Sequence, residues 1–173
     1  MTDTAKKIIQ QKKIVSLLKD AQKLASKLSF NNLFQPGLVK EIIIGTALGH
    51  DVHTTKHAAD AWDPKNPNKL YEYLSCWEGG TFQLDRMFKN PSGKRKKSLQ
   101  RIIRNDCFYC VVFQKESPLD IKIIYKVPTE KILKETKRQL AASSNDISHV
   151  GFTIKWAKAN GKKINHPVAE ITG

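Results

Sequence analysis

The chain has 173 residues, a formal charge of +14 at neutral pH and a pI near 9.7. That length can bury a core unaided, and 40% hydrophobic residues, with Trp62, Trp77 and Trp156 among them, exclude a disordered basic tail. Such a charge excess sets up a sustained positive field whose commonest polyanionic partner is nucleic acid. An anionic membrane surface is the competing partner, but no strongly hydrophobic amphipathic anchor accompanies the charge.

The N-terminal "TDTAKKIIQQKKIVSLLKDAQKLASKLSF" carries apolar residues at Ile14, Leu17, Leu18, Ala21, Leu24, Ala25 and Leu28, the spacing of one helical face with lysines opposite. The stretch "MTDTAKKIIQQKK" has no signal-peptide core and no segment is apolar over a bilayer-spanning length. Three cysteines suit reduced thiols better than a disulfide framework. Together these predict an intracellular protein, cytoplasmic or nucleoid-associated, with no membrane partner.

Asn31, Asn32, Gln35 and Pro36 interrupt the pattern, and "PGLVKEIIIGTALG" reads as a second helix, with Pro36 suited to its first turn and Gly49 to its stop. Residues 59–63 and 69–75 read as short strands around the loop "PKNPN". "NPSGKRKKSLQRIIRND" is a basic connector that turns helical after Ser92, and "CFYCVVF" and "IKIIYKV" are the clearest strands. "TEKILKETKRQLAA" reads as a helix with Thr129 as its cap, and "HVGFTIKWAK" and "KKINHPV" flank an Asn160–Gly161 hairpin signal. No internal repeat stands out. The order predicts one α+β domain over residues 1–173, with a central mixed sheet flanked by helices and the amphipathic helix confined to residues 1–30.

With "PKNPN" centred on Asn66, antiparallel pairing sets Asp63 opposite Lys69 and Asp60 opposite Glu72. Opposed residues share a face with Cβ atoms about 5 Å apart. Two hard carboxylates at that distance, with water and phosphate oxygens completing the shell, are how Mg²⁺ is usually held. Such an ion would polarise a phosphodiester and activate an attacking water. The alternative is a pair of solvated acids on a surface hairpin.

The stretches "GHDVHTTKHAADAWD", "LYEYLS" and "CFYCVVFQKESPLDIKIIYKVPTEKIL" resemble the PD-(D/E)XK nuclease superfamily, in particular small type II restriction endonucleases of the PvuII kind. The resemblance runs from about Gly37 to the C-terminus. It implies a restriction-endonuclease-like fold over residues 37–173, with Asp60 and Glu72 as the catalytic and metal-binding carboxylates and Glu41 as a supporting acid from the preceding helix. The cofactor implied is Mg²⁺, with Mn²⁺ as a substitute. The partners implied are double-stranded DNA, a second copy of the chain, and a cognate DNA methyltransferase. The N-terminal helix would supply the dimer face, or cap the chain's own core.

One residue departs from the pattern. Two positions after the second carboxylate the superfamily usually has lysine; here stands Leu74, which has no polar group to position water. Lys56, Lys65, Lys69, Gln83 and Arg86 are the candidates to replace it, and Gln83 joins Asp60 and Glu72 as the third expected catalytic residue. The expected DNA contacts are Lys56, His57, Arg86 and Lys89 near the cleft, Lys94, Arg95, Lys96 and Lys97 on the basic connector, and Lys155 and Lys158 towards the C-terminus. Each has an ordinary solvated alternative, and Glu41 reads equally as a helix acid near an N-terminus. Cys107 and Cys110 face opposite sides of one strand and read as buried thiols, not a zinc site. His53 and His57 lie in an irregular stretch and make no helical metal face. The function predicted is metal-dependent, sequence-specific cleavage of duplex DNA. The alternatives are a non-catalytic DNA-binding protein that kept the fold, favoured by Leu74, and a basic RNA- or ribosome-associated protein.

Overall fold

The computed structural model describes residues 3–55 and 59–165. In chain order it contains α1 (Asp3–Lys27), α2 (Leu38–Leu48), β1 (Asp51–Val52), β2 (Ala61–Asp63), β3 (Asn66–Trp77), β4 (Thr81–Phe88), α3 (Ser92–Ile103), β5 (Cys107–Phe113), β6 (Ile121–Pro128), α4 (Thr129–Ala142), β7 (Ile147–Thr153), α5 (Ile154–Asn160) and β8 (Lys162–Ile164). The chain divides into two compact units, residues 1–39 and 40–173.

In the first unit, α1 ends on Ser29 in the left-handed region (φ 66), and the Phe30 amide turns back to the Ala25 carbonyl at 3.0 Å. Gln22 then ties the following turn to the helix, donating to the carbonyls of Phe30 and Asn31 and accepting from the Leu33 amide at 2.9 Å. The helical face read from the sequence carries Ile14, Leu17, Leu24 and Leu28, each more than half exposed. No helix among the described residues is long and apolar enough to cross a membrane.

The second unit is organised around β5, whose seven residues are all buried. An uninterrupted apolar run of this kind needs cover on both faces. β5 lies parallel to β3 and antiparallel to β6 in a six-stranded mixed sheet of order β1-β2-β3-β5-β6-β8. On one face, Leu74, Cys76, Phe108, Cys110 and Val112 pack against Ile102 of α3, Ile132 and Leu140 of α4 and Ala157 of α5. The same core includes Phe82, Leu84 and Met87 of β4 and Val150 and Phe152 of β7, which pair as a separate two-stranded sheet. On the other face, Tyr71, Tyr73, Tyr109, Val111 and Phe113 pack with Ile44 of α2. The fold is therefore α+β, a central mixed sheet flanked by helices. Cys107 and Cys110 are buried on opposite faces, as strand alternation requires.

Four local expectations are corrected. The reversal between β2 and β3 is a tight turn at Pro64–Lys65, closed by the Lys65 amide on Asp63 Oδ1 at 2.9 Å, and Asn66 already belongs to β3. The register slips between Trp62 and Asp63, so Asp63 pairs with Asn66, not Lys69. No hairpin forms at Asn160–Gly161: the chain from Ile154 is helical because Thr153 Oγ1 accepts the Trp156 amide at 3.0 Å, an N-cap absent from the strand reading. Thr129 is not a cap either; Pro128 holds that position, and Thr129 Oγ1 donates to the Asn105 carbonyl at 2.7 Å.

Candidate active site

The slip at Asp63 leaves the pairing upstream intact. Ala61 sits opposite Tyr71 and Val52 opposite Ala61; Asp60 immediately precedes β2 and Glu72 immediately follows Tyr71 in β3. The His53 amide donates to the Asp60 carbonyl at 2.9 Å, which continues the β1–β2 register, whereas the Asp60 amide donates to the Tyr71 carbonyl at 3.0 Å, so Asp60 shares Tyr71 with Ala61 and does not pair squarely with Glu72. Here β2 begins, and Asp60 completes the ladder with its side chain. Its Oδ2 accepts the Tyr73 amide at 2.7 Å, which fixes the carboxylate between β2 and β3.

Glu72 is held from the other direction. α3 ends at Ile103 and the chain enters β5 at Cys107, so the parallel β3–β5 pairing brings the helix C-terminus against β3. Asn105 Nδ2 donates to Glu72 Oε2 at 3.4 Å and to the Arg101 carbonyl at 2.8 Å. Arg104 Nη2 stands 3.7 Å from the same Glu72 oxygen, with 31% and 23% of the two side chains exposed. Asp106 anchors the junction, its Oδ2 accepting the Leu70 amide at 2.9 Å.

Burial pushes both carboxyls up: Asp60 to about 6, with the Tyr73 amide and Arg104 opposing, and Glu72 to about 8, with Asp60's charge adding to the burial and Arg104, Arg101 and Asn105 opposing it. The two acids repel each other in a half-buried place, where full ionisation of both is costly. His53 leans on Trp62 with ring centroids 4.2 Å apart, and its Nε2 is buried with no protein partner, as is Asn105 Oδ1. Burial holds the His53 imidazole below its ordinary value; Asp51 pulls the other way and Arg104 reinforces the drop. Two buried polar atoms lacking protein partners beside a repelling acid pair mark a place that a polar ligand would complete.

Leu74 is 5% exposed and packed in the core beneath β4, so its side chain does not reach the acids. Of the expected lysine replacements, Lys65 lies exposed in the β2–β3 turn, and Lys69 is exposed and alternates onto the face opposite Glu72. Gln83 is exposed between the core residues Phe82 and Leu84, hence turned away from the interior that Leu74 shares. Arg86 is exposed at the irregularity in β4, with φ 49. Lys56 and His57 lie outside the described residues. Glu41 is half-buried in the first turn of α2, whose Ile43, Ile44 and Leu48 pack on the Tyr71 side of the sheet.

The expected DNA contacts fall into separate groups. Lys89 Nζ donates to the Ser143 carbonyl at 2.6 Å and so caps the end of α4, a structural task. Lys94, Arg95, Lys96 and Lys97 are exposed on α3, and Lys155 and Lys158 are exposed on α5, which had been read as strand. The sequence reading passed over Arg104, Arg101 and Asn105 as site residues, although all three stand at the end of the basic connector. Their signal was the three-residue spacing of Arg101 and Arg104 beside an Asn at a helix exit.

Among the described residues, no cluster of three or more His, Cys, Asp or Glu forms a metal cage. Any cation here would rest on Asp60 and Glu72 with water and substrate oxygens. That donor set is hard, oxygen-only and mutually repelling, and it fits Mg²⁺ or Mn²⁺ better than a softer metal. Comparison with known proteins adds no relative: no family model matches the chain, and no curated protein matches it significantly.

Proposed function

We propose that the chain is a metal-dependent endonuclease acting on double-stranded DNA, with Asp60 and Glu72 as its metal-holding carboxylates. The observation that carries this reading is the convergence of the two acids from adjacent strands, half-buried, repelling and each tied down by a separate hydrogen bond. A divalent cation would relieve that repulsion, and when bound it supplies Lewis-acid polarisation of the phosphodiester. The protein's own groups do the rest. Tyr73's amide fixes one Asp60 oxygen and so orients the carboxylate, and Asn105 orients Glu72. Arg104 supplies the positive charge nearest Glu72, positioned to meet a phosphate oxygen. In this reading Arg104 takes over charge stabilisation from the absent lysine, whose site Leu74 fills with hydrocarbon. Sequence-specific cutting by a homodimer, paired with a methyltransferase, is the fuller form of the proposal. The exposed Leu17 and Leu24 of α1 and Leu28 just beyond it support the homodimer.

The test is incubation of long mixed-sequence DNA with the protein and Mg²⁺, beside Glu72→Ala and a chelator control. Discrete fragments from the wild type alone are the expected result. A second reading, a DNA-binding protein that does not cut, is favoured by the burial of Leu74. Intact DNA in every metal tried, with binding unaffected by Glu72→Ala, would establish that reading in place of the first.

A further inference from the structure

α3 carries more than a diffuse charge run. Lys94, Lys97, Arg101 and Arg104 follow one another at intervals of three, four and three residues, which at 3.6 residues per turn keeps them on a single stripe. The stripe continues past the last helical residue because Arg104 keeps helical geometry (φ −64, ψ −20). It runs beside the buried face of the helix, formed by Ser98 and Ile102. Two of its members are braced: Lys94 Nζ lies 5.6 Å from the Phe88 ring, and Arg101 Nη2 lies 3.5 Å from Met87 Sδ. These contacts hold the charged heads near the helix surface, which leaves them less freedom to lose on binding. Arg95 and Lys96 are equally exposed but sit about a third of a turn or more from the midline of the stripe.

The stripe has a direction. Lys94 and Lys97 at its start are solvent-exposed, and Arg104 at its end is partly buried against Glu72. From residue 94 to 104 the helix rises about 15 Å, the length of about four phosphates along one DNA strand.

We infer that this ridge of α3 is the track that holds the backbone of one DNA strand and leads it to the Asp60–Glu72 pair, while Arg95 and Lys96 stand off it. The inference deepens the nuclease proposal and rests on it for the identity of the polymer. A membrane surface suits the ridge poorly, since the only large apolar side chain exposed on α3 is Ile103 and nothing there would insert.

The test compares two double variants that remove equal charge from one helix: Lys94→Gln with Lys97→Gln, and Arg95→Gln with Lys96→Gln. Binding of a mixed-sequence 30-base-pair DNA duplex is followed by fluorescence anisotropy in chelator between roughly 50 and 200 mM salt, where about 0.9 of the logarithmic salt slope is lost per phosphate contact removed. Thermal melts confirm that both variants are folded. The ridge variant is expected to lose nearly two units of slope and about tenfold or more in affinity near 100 mM salt, and the off-ridge variant less than half of each. Equal losses, or a larger loss from the off-ridge pair, overturn the ridge. An RNA duplex of the same length bound more tightly than DNA overturns the choice of polymer. The binding assay needs no cleavage. A ridge effect with no cutting in Mg²⁺ therefore sinks the nuclease proposal alone, and cutting without a ridge effect sinks the ridge alone.

Discussion

Removing the charge at Glu72 should stabilise the metal-free protein, increasingly so as the pH rises from about 4.5 to about 8. In the unfolded chain this carboxyl ionises near 4.5; in the fold, burial and the neighbouring Asp60 hold it up to about 8. The native state therefore binds more protons than the unfolded state between those values, and stability present below pH 4.5 is lost as the pH rises towards 8. At about 1.4 kcal/mol per pH unit, the full window corresponds to roughly 4–5 kcal/mol. Asp60 shares the titration, and the Arg104 pair returns about 1 kcal/mol or less, so roughly 2–4 kcal/mol is expected for the variant. Glu72→Gln keeps an oxygen to accept from Asn105 and has nothing to ionise. We expect it to exceed the wild type by that amount at pH 8 and to come within about 1 kcal/mol of it at pH 5, just above the unfolded-state value. In a chain of this size the pH 8 difference is about 5–15 °C in melting temperature. Urea or thermal melts in chelator, at three pH values, measure it. A gap that stays constant from pH 5 to pH 8, or a variant less stable than wild type at pH 8, would refute the electrostatic account of the pair. On the metal reading, millimolar Mg²⁺ should narrow the gap by stabilising the wild type alone.

Two further outcomes follow from the same structure. Leu74→Ala should cost about 2–4 kcal/mol in urea melts because it hollows a site 5% exposed under β4; a loss below about 1 kcal/mol would mean the side chain is not core. His50, stacked on Tyr71 with ring centroids 4.3 Å apart and bonded to the Tyr73 hydroxyl at 2.9 Å, is held down to about 4 chiefly by burial. The unfolded imidazole takes its proton first, near 6.5, so stability falls as the pH drops from there towards 4, the opposite limb from Glu72. His50→Gln should flatten that acid limb while leaving the alkaline one; an unchanged acid limb would show that His50 does not produce it.

The sequence by itself determined the helical face of α1, the two central strands, the helical turn of the basic connector after Ser92 and the nearness of Asp60 to Glu72. All of these rest on local periodicity or on counting across one turn. The register was reached with the wrong turn: a five-residue loop and a tight turn with a one-sided slip give the same partners for Ala61 and Trp62, and differ at Asp63. The helix α5 is missed by a strand reading because a single hydroxyl, Thr153 Oγ1, decides it, and a seven-residue stretch has too little periodicity to compete. Only the tertiary structure decided what surrounds the acids. Arg104 and Asn105 are 32 and 33 residues from Glu72 in the chain, and they meet it because β3 and β5 run parallel in register, Glu72 beside Phe108. A parallel pairing closes through a long crossover and leaves no mark on either strand's own pattern. The burial that raises the Glu72 carboxyl has the same origin: solvent is excluded by a helix end that the crossover delivers, and no property of the residues around position 72 encodes it.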